Sequence, residues 1–251
     1  MPRASLQRSG LTSTGSFAAQ LNAWHERMHG ALATRLPPVD ETPARLHAAL
    51  RSWVLDREER KHPILMFAVG RTMGLREVHV EVAACALELL HLFDEVHCAL
   101  PALARNERTT APHPALQAYD EATMLLVGDS LPPLAFNLLC IDPGLQLAAR
   151  VRLQLTAMLA SATGSRGRVG SHSAGGQAGR SYYCACVRLA IACRRRPPGK
   201  KVRGLLTDFE RALALSWSDA YAALPRRGEQ AETLRRVTLW LAEREDEQGI
   251  S

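Results

Sequence analysis

"HVEVAACALELLHLFDEV", residues 79–96, and "YDEATMLLVGDSLPPLAFNLLC", residues 119–140, decide the fold of this chain. Each is a long, mostly apolar run without the period-two alternation of a strand, so each reads as a helix. Upstream, Phe17, Leu21, Trp24, Met28 and Leu32 recur at three- and four-residue steps and form one apolar stripe. Thr42-Pro43 marks the start of a second helix, in which Leu46, Ala49, Leu50 and Trp53 face inward. "PILMFAVGRTMG" (63–74) is a third, stopped by Gly74. Downstream, "GLQLAARVRLQLTAMLASATG" (144–164) is a further helix, and two amphipathic helices separated by Pro225 and Gly228 close the chain. Alternating strand patterns are missing throughout, so the fold class is all-α.

The chain has 251 residues, 47% of them hydrophobic, which is enough for one core and one domain. We expect residues 1–16 to be a disordered tail and 17–245 a single helical domain. No run of eighteen apolar residues is present, so no membrane span is expected. The opening "MPRASLQRSGLTSTGSF" has no apolar stretch of the secretory kind. Six cysteines without framework spacing point to free buried thiols in a reducing cytosol. Cys184-x-Cys186 lacks the second pair that a structural zinc site needs.

The net charge of +6 is uneven. Residues 180–203, "RSYYCACVRLAIACRRRPPGKKVR", carry eight Arg or Lys and no acid. Before them, "GSRGRVGSHSAGGQAG" (164–179) holds six glycines in sixteen residues. We therefore expect 164–205 to be irregular, first Gly-rich and then basic. The basic run could serve an anionic partner, but no nucleic-acid recognition module surrounds it, and nucleic acid is not expected.

The order and spacing of the helices resemble the trans-isoprenyl diphosphate synthases, the farnesyl and geranylgeranyl diphosphate synthase family. The resemblance rests on "RLHAALRSWVLDREERKHPILMFAVGRTMG", on "ALELLHLFDEVHCALPALARNERTTAPHPALQAYDEATMLLVGDSLPPLAF" (86–136), on Gly175-Gly176-Gln177 and on the two closing helices. It implies a helical bundle around a central cavity, here truncated in its second half. It also implies a reaction in which an allylic diphosphate ionises and isopentenyl diphosphate attacks the cation. Such chemistry needs Mg²⁺ held by carboxylates on two facing helices, and cationic side chains for the second diphosphate.

Laid on this chain, the first aspartate-rich motif of that family falls on Cys98, Ala99 and Ala104. The Arg pair that follows it falls on Thr109 and Thr110, and a substrate-binding His falls on Leu116. In the early basic motif the Lys becomes Glu59, the first Arg is kept as Arg60, and the second becomes His62. No Asp-Asp pair occurs anywhere, so the second aspartate-rich motif has no counterpart. By resemblance, Arg60 and Gln177 are vestigial substrate-binding residues, and Phe93 and Asp94 lie at the cavity floor. Pro132-Pro133 falls inside a helix that the family keeps unbroken, where interior proline costs about 3 kcal/mol. His91 and Glu95, one helical turn apart, offer a shifted metal site. Otherwise Glu88, His91 and Glu95 form a polar stripe satisfied by neighbours.

The expectation is a non-catalytic homologue with no catalytic residues, no metal ligands and no cofactor, although active relatives use Mg²⁺. It would be cytoplasmic, and a homodimer or a heterodimer with an active prenyl synthase. Two alternatives stand beside it: an active short-chain prenyltransferase, and an anion- or nucleic-acid-binding module using 180–203.

Overall fold

The computed structural model describes residues 14–57, 59–101, 113–164, 180–226 and 228–247. Among these, eleven α-helices and one 3-10 turn make the fold, and no strand occurs. They are α1 (Thr14–Ala33), α2 (Ala44–Leu55), α3 (Lys61–Thr72), the 3-10 turn Glu77–His79, α4 (Glu81–Ala99), α5 (Pro114–Ala118) and α6 (Glu121–Ile141). After them come α7 (Ala149–Thr163), α8 (Arg180–Ala192), α9 (Lys200–Leu213), α10 (Trp217–Ala222) and α11 (Glu229–Glu247).

Two helices form the centre. Ile64 to Val69 of α3 are each at most 1% exposed, and Val82 to Leu90 of α4 at most 2%. Helices apolar on every side have to be enclosed by others. α4 is wrapped by α1, α3, α6, α7 and α8, with its longest contact along α6, while α3 packs against α1, α4, α8 and α11.

The α4–α6 seam depends on Gly128. A β-carbon there would fall 2.3 Å from Cε1 of His97 and 2.8 Å from Cγ1 of Val96, so only glycine lets the helices approach this closely. α6 runs unbroken through Pro132 and Pro133. The cost of the two prolines is offset because Met124, Val127, Leu131, Ala135 and Leu139 are fully buried against the core. At about 1.5–3 kcal/mol for each large side chain, that burial outweighs two interior prolines at about 3 kcal/mol each. By length and composition α6 could cross a membrane, with a third of its apolar window buried in the bundle.

One end of the bundle is clamped by arginines. Just beyond α1, Arg35 Nε donates to Asp142 Oδ2 (2.8 Å), and its Nη2 lies 3.6 Å from Glu81 at the start of α4. Arg152 donates to the Cys140 and Asp142 carbonyls (both 3.1 Å), closing the α6–α7 turn.

The expectation of an irregular 164–205 needs correction from residue 180 onward, while its Gly-rich part, 165–179, lies outside the described residues. α8 and α9 occupy much of 180–205, and Tyr182, Tyr183, Cys186, Val187, Leu189 and Ala190 of α8 are core residues. Of the eight cations in 180–203, only Arg188 lies between residues 181 and 193, so the charge flanks an apolar helix rather than opposing one. The helix α1 also takes in Thr14 to Ser16 of the expected tail, and residues 1–13 lie outside the described residues.

Candidate functional site

Polar groups from α3, α4 and the segment between α2 and α3 meet inside the bundle. Arg60, at the start of α3, and Glu88, on α4, are each 2% exposed. Arg60 Nη1 donates to Glu88 Oε1 (3.2 Å), and Nη2 donates to the Val54 carbonyl (2.7 Å) near the end of α2. The His62 ring stacks on Tyr183 (centroids 4.5 Å apart) and tilts against His91 (4.2 Å). Its Nδ1 is 3.9 Å from Glu88 Oε2. Tyr182 meets both histidine rings edge-on and donates its hydroxyl to the Leu90 carbonyl (3.1 Å).

One turn further along α4, His91 Nε2 lies 3.1 Å from Glu95 Oε1, and Arg57 Nη1 donates to Glu95 Oε2 (2.5 Å). Burial alone would lower the pKa of His91, but the Glu95 carboxylate, with Glu88 behind it, outweighs burial and raises it above the ordinary value. Burial works the other way on Glu95, where His91 and then Arg57 prevail and hold its carboxyl well below the usual range. Burial also pushes the Cys186 thiol and the Tyr183 hydroxyl well above their ordinary values. Cys85 and Cys193 are pushed up to about 12 by the same cause. These groups are neutral packing groups rather than nucleophiles at neutral pH.

The structure brings some of the expected residues together and not others. Arg60 is in the cluster, but facing a carboxylate. Asp94 is 4% exposed, and the half-buried Phe93 packs on His97 (4.6 Å). Cys98 and Ala99 form the last turn of α4. Gln177, Ala104, Thr109 and Thr110 lie outside the described residues. Magnesium calls for clustered carboxylate oxygens. The end of α4 offers a thiol and a methyl group, and both Glu95 oxygens are taken by His91 and Arg57. Among the described residues no group of three His, Cys, Asp or Glu is placed to hold a metal ion. Among the described residues, the donors at the end of α4 and at the shifted position therefore do not fit Mg²⁺.

No protein-family model matches the chain. Over 89% of its length it is 24% identical to the farnesyl diphosphate synthase of Haemophilus influenzae, spanning 81% of that protein. It is 26% identical to the farnesyl diphosphate synthase of Escherichia coli over 62% of this chain, which is about half (52%) of that protein. Its backbone superposes on a geranyltransferase from Legionella pneumophila with a TM-score of 0.80, at 20% identity, over 94% of this chain and 99% of the other. Along most of its length the chain is similar to farnesyl diphosphate synthases, and it has the fold of a geranyltransferase. The polar stripe Glu88, His91, Glu95 meets Arg60 and Arg57 across the helix interface, while Glu88 Oε2, 3.9 Å from His62 Nδ1, and His91 Nδ1 are buried without a hydrogen-bond partner among the described residues.

Sequence reasoning missed the part played by Tyr182 and Tyr183. The signal was there in "YYCACVRLAIAC", twelve residues with one charge, but it was obscured by the cations that follow.

Two outcomes test the cluster. Glu88→Ala leaves the Arg60 guanidinium buried and unpaired, and should destabilise the chain by about 3–5 kcal/mol in urea titration. Arg60→Met combined with Glu88→Leu should recover most of that loss. For the second test, a histidine with a raised folded-state pKa stabilises fully below its unfolded value of 6.5 and loses that contribution as pH rises through the folded value. His25 and His113, whose pKa values burial lowers, act in the opposite direction, so the readout is a difference. The melting temperature of the native chain minus that of His91→Gln should shrink as pH rises above 6.5.

Proposed function

We propose that this chain is a non-catalytic member of the family, a partner subunit rather than a turnover enzyme. The observation that carries the reading is the sealed Arg60. By resemblance this side chain would hold a diphosphate, yet it is 2% exposed and bonded to Glu88 and to a backbone carbonyl. Freeing it would break a buried pair at about 3–5 kcal/mol, a loss of roughly 10²- to 10⁴-fold in any binding that needs it. The poor fit of the donor set to Mg²⁺ supports the same reading. Removing a single electrostatic stabiliser typically costs about 10²- to 10³-fold in rate. Gln177 as a substrate-binding remnant, and Phe93 and Asp94 as cavity floor, remain assignments by resemblance.

The proposed partner is a second copy or an active prenyl synthase in the cytoplasm, docking on α6. On that helix Leu126 is 54% exposed and Leu125 is 39% exposed. An apolar helix face of this kind is better covered than wet. The competing reading is an active short-chain prenyltransferase. It draws on similarity along most of the chain to a protein named as a farnesyl diphosphate synthase.

The deciding experiment incubates the purified chain with Mg²⁺, isopentenyl diphosphate and dimethylallyl or geranyl diphosphate, alone and mixed with an active synthase. We expect no prenyl product from the chain alone. In the mixture we expect a changed rate or product length that Leu126→Asp abolishes. Product from the chain alone that vanishes in Asp94→Ala would establish the enzyme reading instead.

A further inference from the structure

The end of the bundle where α8 finishes and α9 begins carries Arg194, Arg195, Arg196, Lys200, Lys201 and Arg203. All six are exposed except Arg194, which is half-buried. None forms an ion pair among the described residues, and Arg195 reaches only the Gln146 carbonyl (3.3 Å) and side chain (3.4 Å). The acids further along α9 are already engaged. Glu210 lies 2.5 Å from Arg188, and Asp208 lies 3.6 Å from Arg211. Nor does the local backbone offset the charge. α9 starts on Lys200 and Lys201 with no acid in its first turn and no side-chain cap, so cations stand at the positive end of the helix dipole. Such a cluster disfavours the isolated fold and persists without local compensation.

One of its arginines is tied to a turn whose flanking helices carry exposed apolar side chains. Arg195 holds Gln146, in the turn between α6 and α7, and that turn is flanked by Ile141 and Leu153, which are 71% and 70% exposed. A basic cluster beside projecting aliphatic side chains matches the two parts of an anionic bilayer surface, headgroup charge and acyl boundary. A single-stranded nucleic acid would look instead for aromatic rings on which to stack its bases. No Phe, Tyr or Trp occurs between residues 184 and 208.

We propose that the 194–203 basic cluster, together with Ile141 and Leu153, docks this chain reversibly on anionic lipid surfaces. The inference stands apart from the question of turnover, because none of these residues belongs to the Arg60–Glu88 cluster.

The test is co-sedimentation of the full chain with vesicles of equal parts phosphatidylserine and phosphatidylcholine, against vesicles of phosphatidylcholine alone and against polyuridylic acid. We expect binding to the anionic vesicles only, falling steeply with added salt. Each cation removed near such a surface should lower partitioning about fivefold, so Arg194→Gln, Arg195→Gln and Arg196→Gln together should lower it about a hundredfold. Lys200→Gln with Lys201→Gln, two fully surface changes, should lower it more than tenfold and decides the matter should the arginine variant not fold. Ile141→Ser with Leu153→Ser should weaken the salt-resistant part. Absence of binding to anionic vesicles at low salt, undiminished binding by the lysine variant, or cation-dependent binding to polyuridylic acid in place of vesicles would each overturn the proposal.

Discussion

A carboxylate stands in the middle of the most enclosed helix of this protein, and the guanidinium of Arg60 is what makes it tolerable there. Leaving Glu88 charged and unpaired in that interior would be strongly unfavourable. Pairing it with Arg60 does more than cancel a charge. The same guanidinium also donates to the Val54 carbonyl. One side chain thus fixes the start of α3, the end of α2 and the midpoint of α4 relative to one another. His62 follows Arg60 by two residues and is carried onto Glu88, His91 and Tyr183 by that placement.

The functional conclusion descends from the same contact. A family whose chemistry handles diphosphates needs cations that face a cavity, and the arginine kept at the family position faces a carboxylate. The second ion cluster repeats the pattern, because Arg57 and His91 together occupy Glu95. Both clusters look on paper like catalytic polar groups. In the folded chain Arg60 and Arg57 are directed at Glu88 and Glu95, which makes these pairs joints between elements.

Much of the architecture was legible from residue order. Gly74 ends α3 with φ of +75°, the left-handed geometry that glycine tolerates, and the α4 and α6 runs fold where their apolar density places them. Reading failed where a local rule met tertiary packing. Pro132 and Pro133 carry a local cost that five buried side chains offset. The arginines after Cys193 masked α8, because charge averaged over a window hides an apolar segment next to it. The site was legible as a set of residues and not as a set of partners. Nothing in the spacing of Arg60 and Glu88, twenty-eight positions apart, states that they touch. Pairing across helices depends on rotation about each axis, which a single sequence leaves open.

The thiols hold a practical consequence. Of six cysteines, Cys85, Cys184, Cys186 and Cys193 are buried and Cys98 is half-covered, while Cys140 is exposed on the outer side of α6. To an alkylating reagent the native protein therefore behaves much like a single-thiol chain. A fluorophore or spin label placed there without mutagenesis would sit beside Ile141, at the surface proposed to meet anionic lipid.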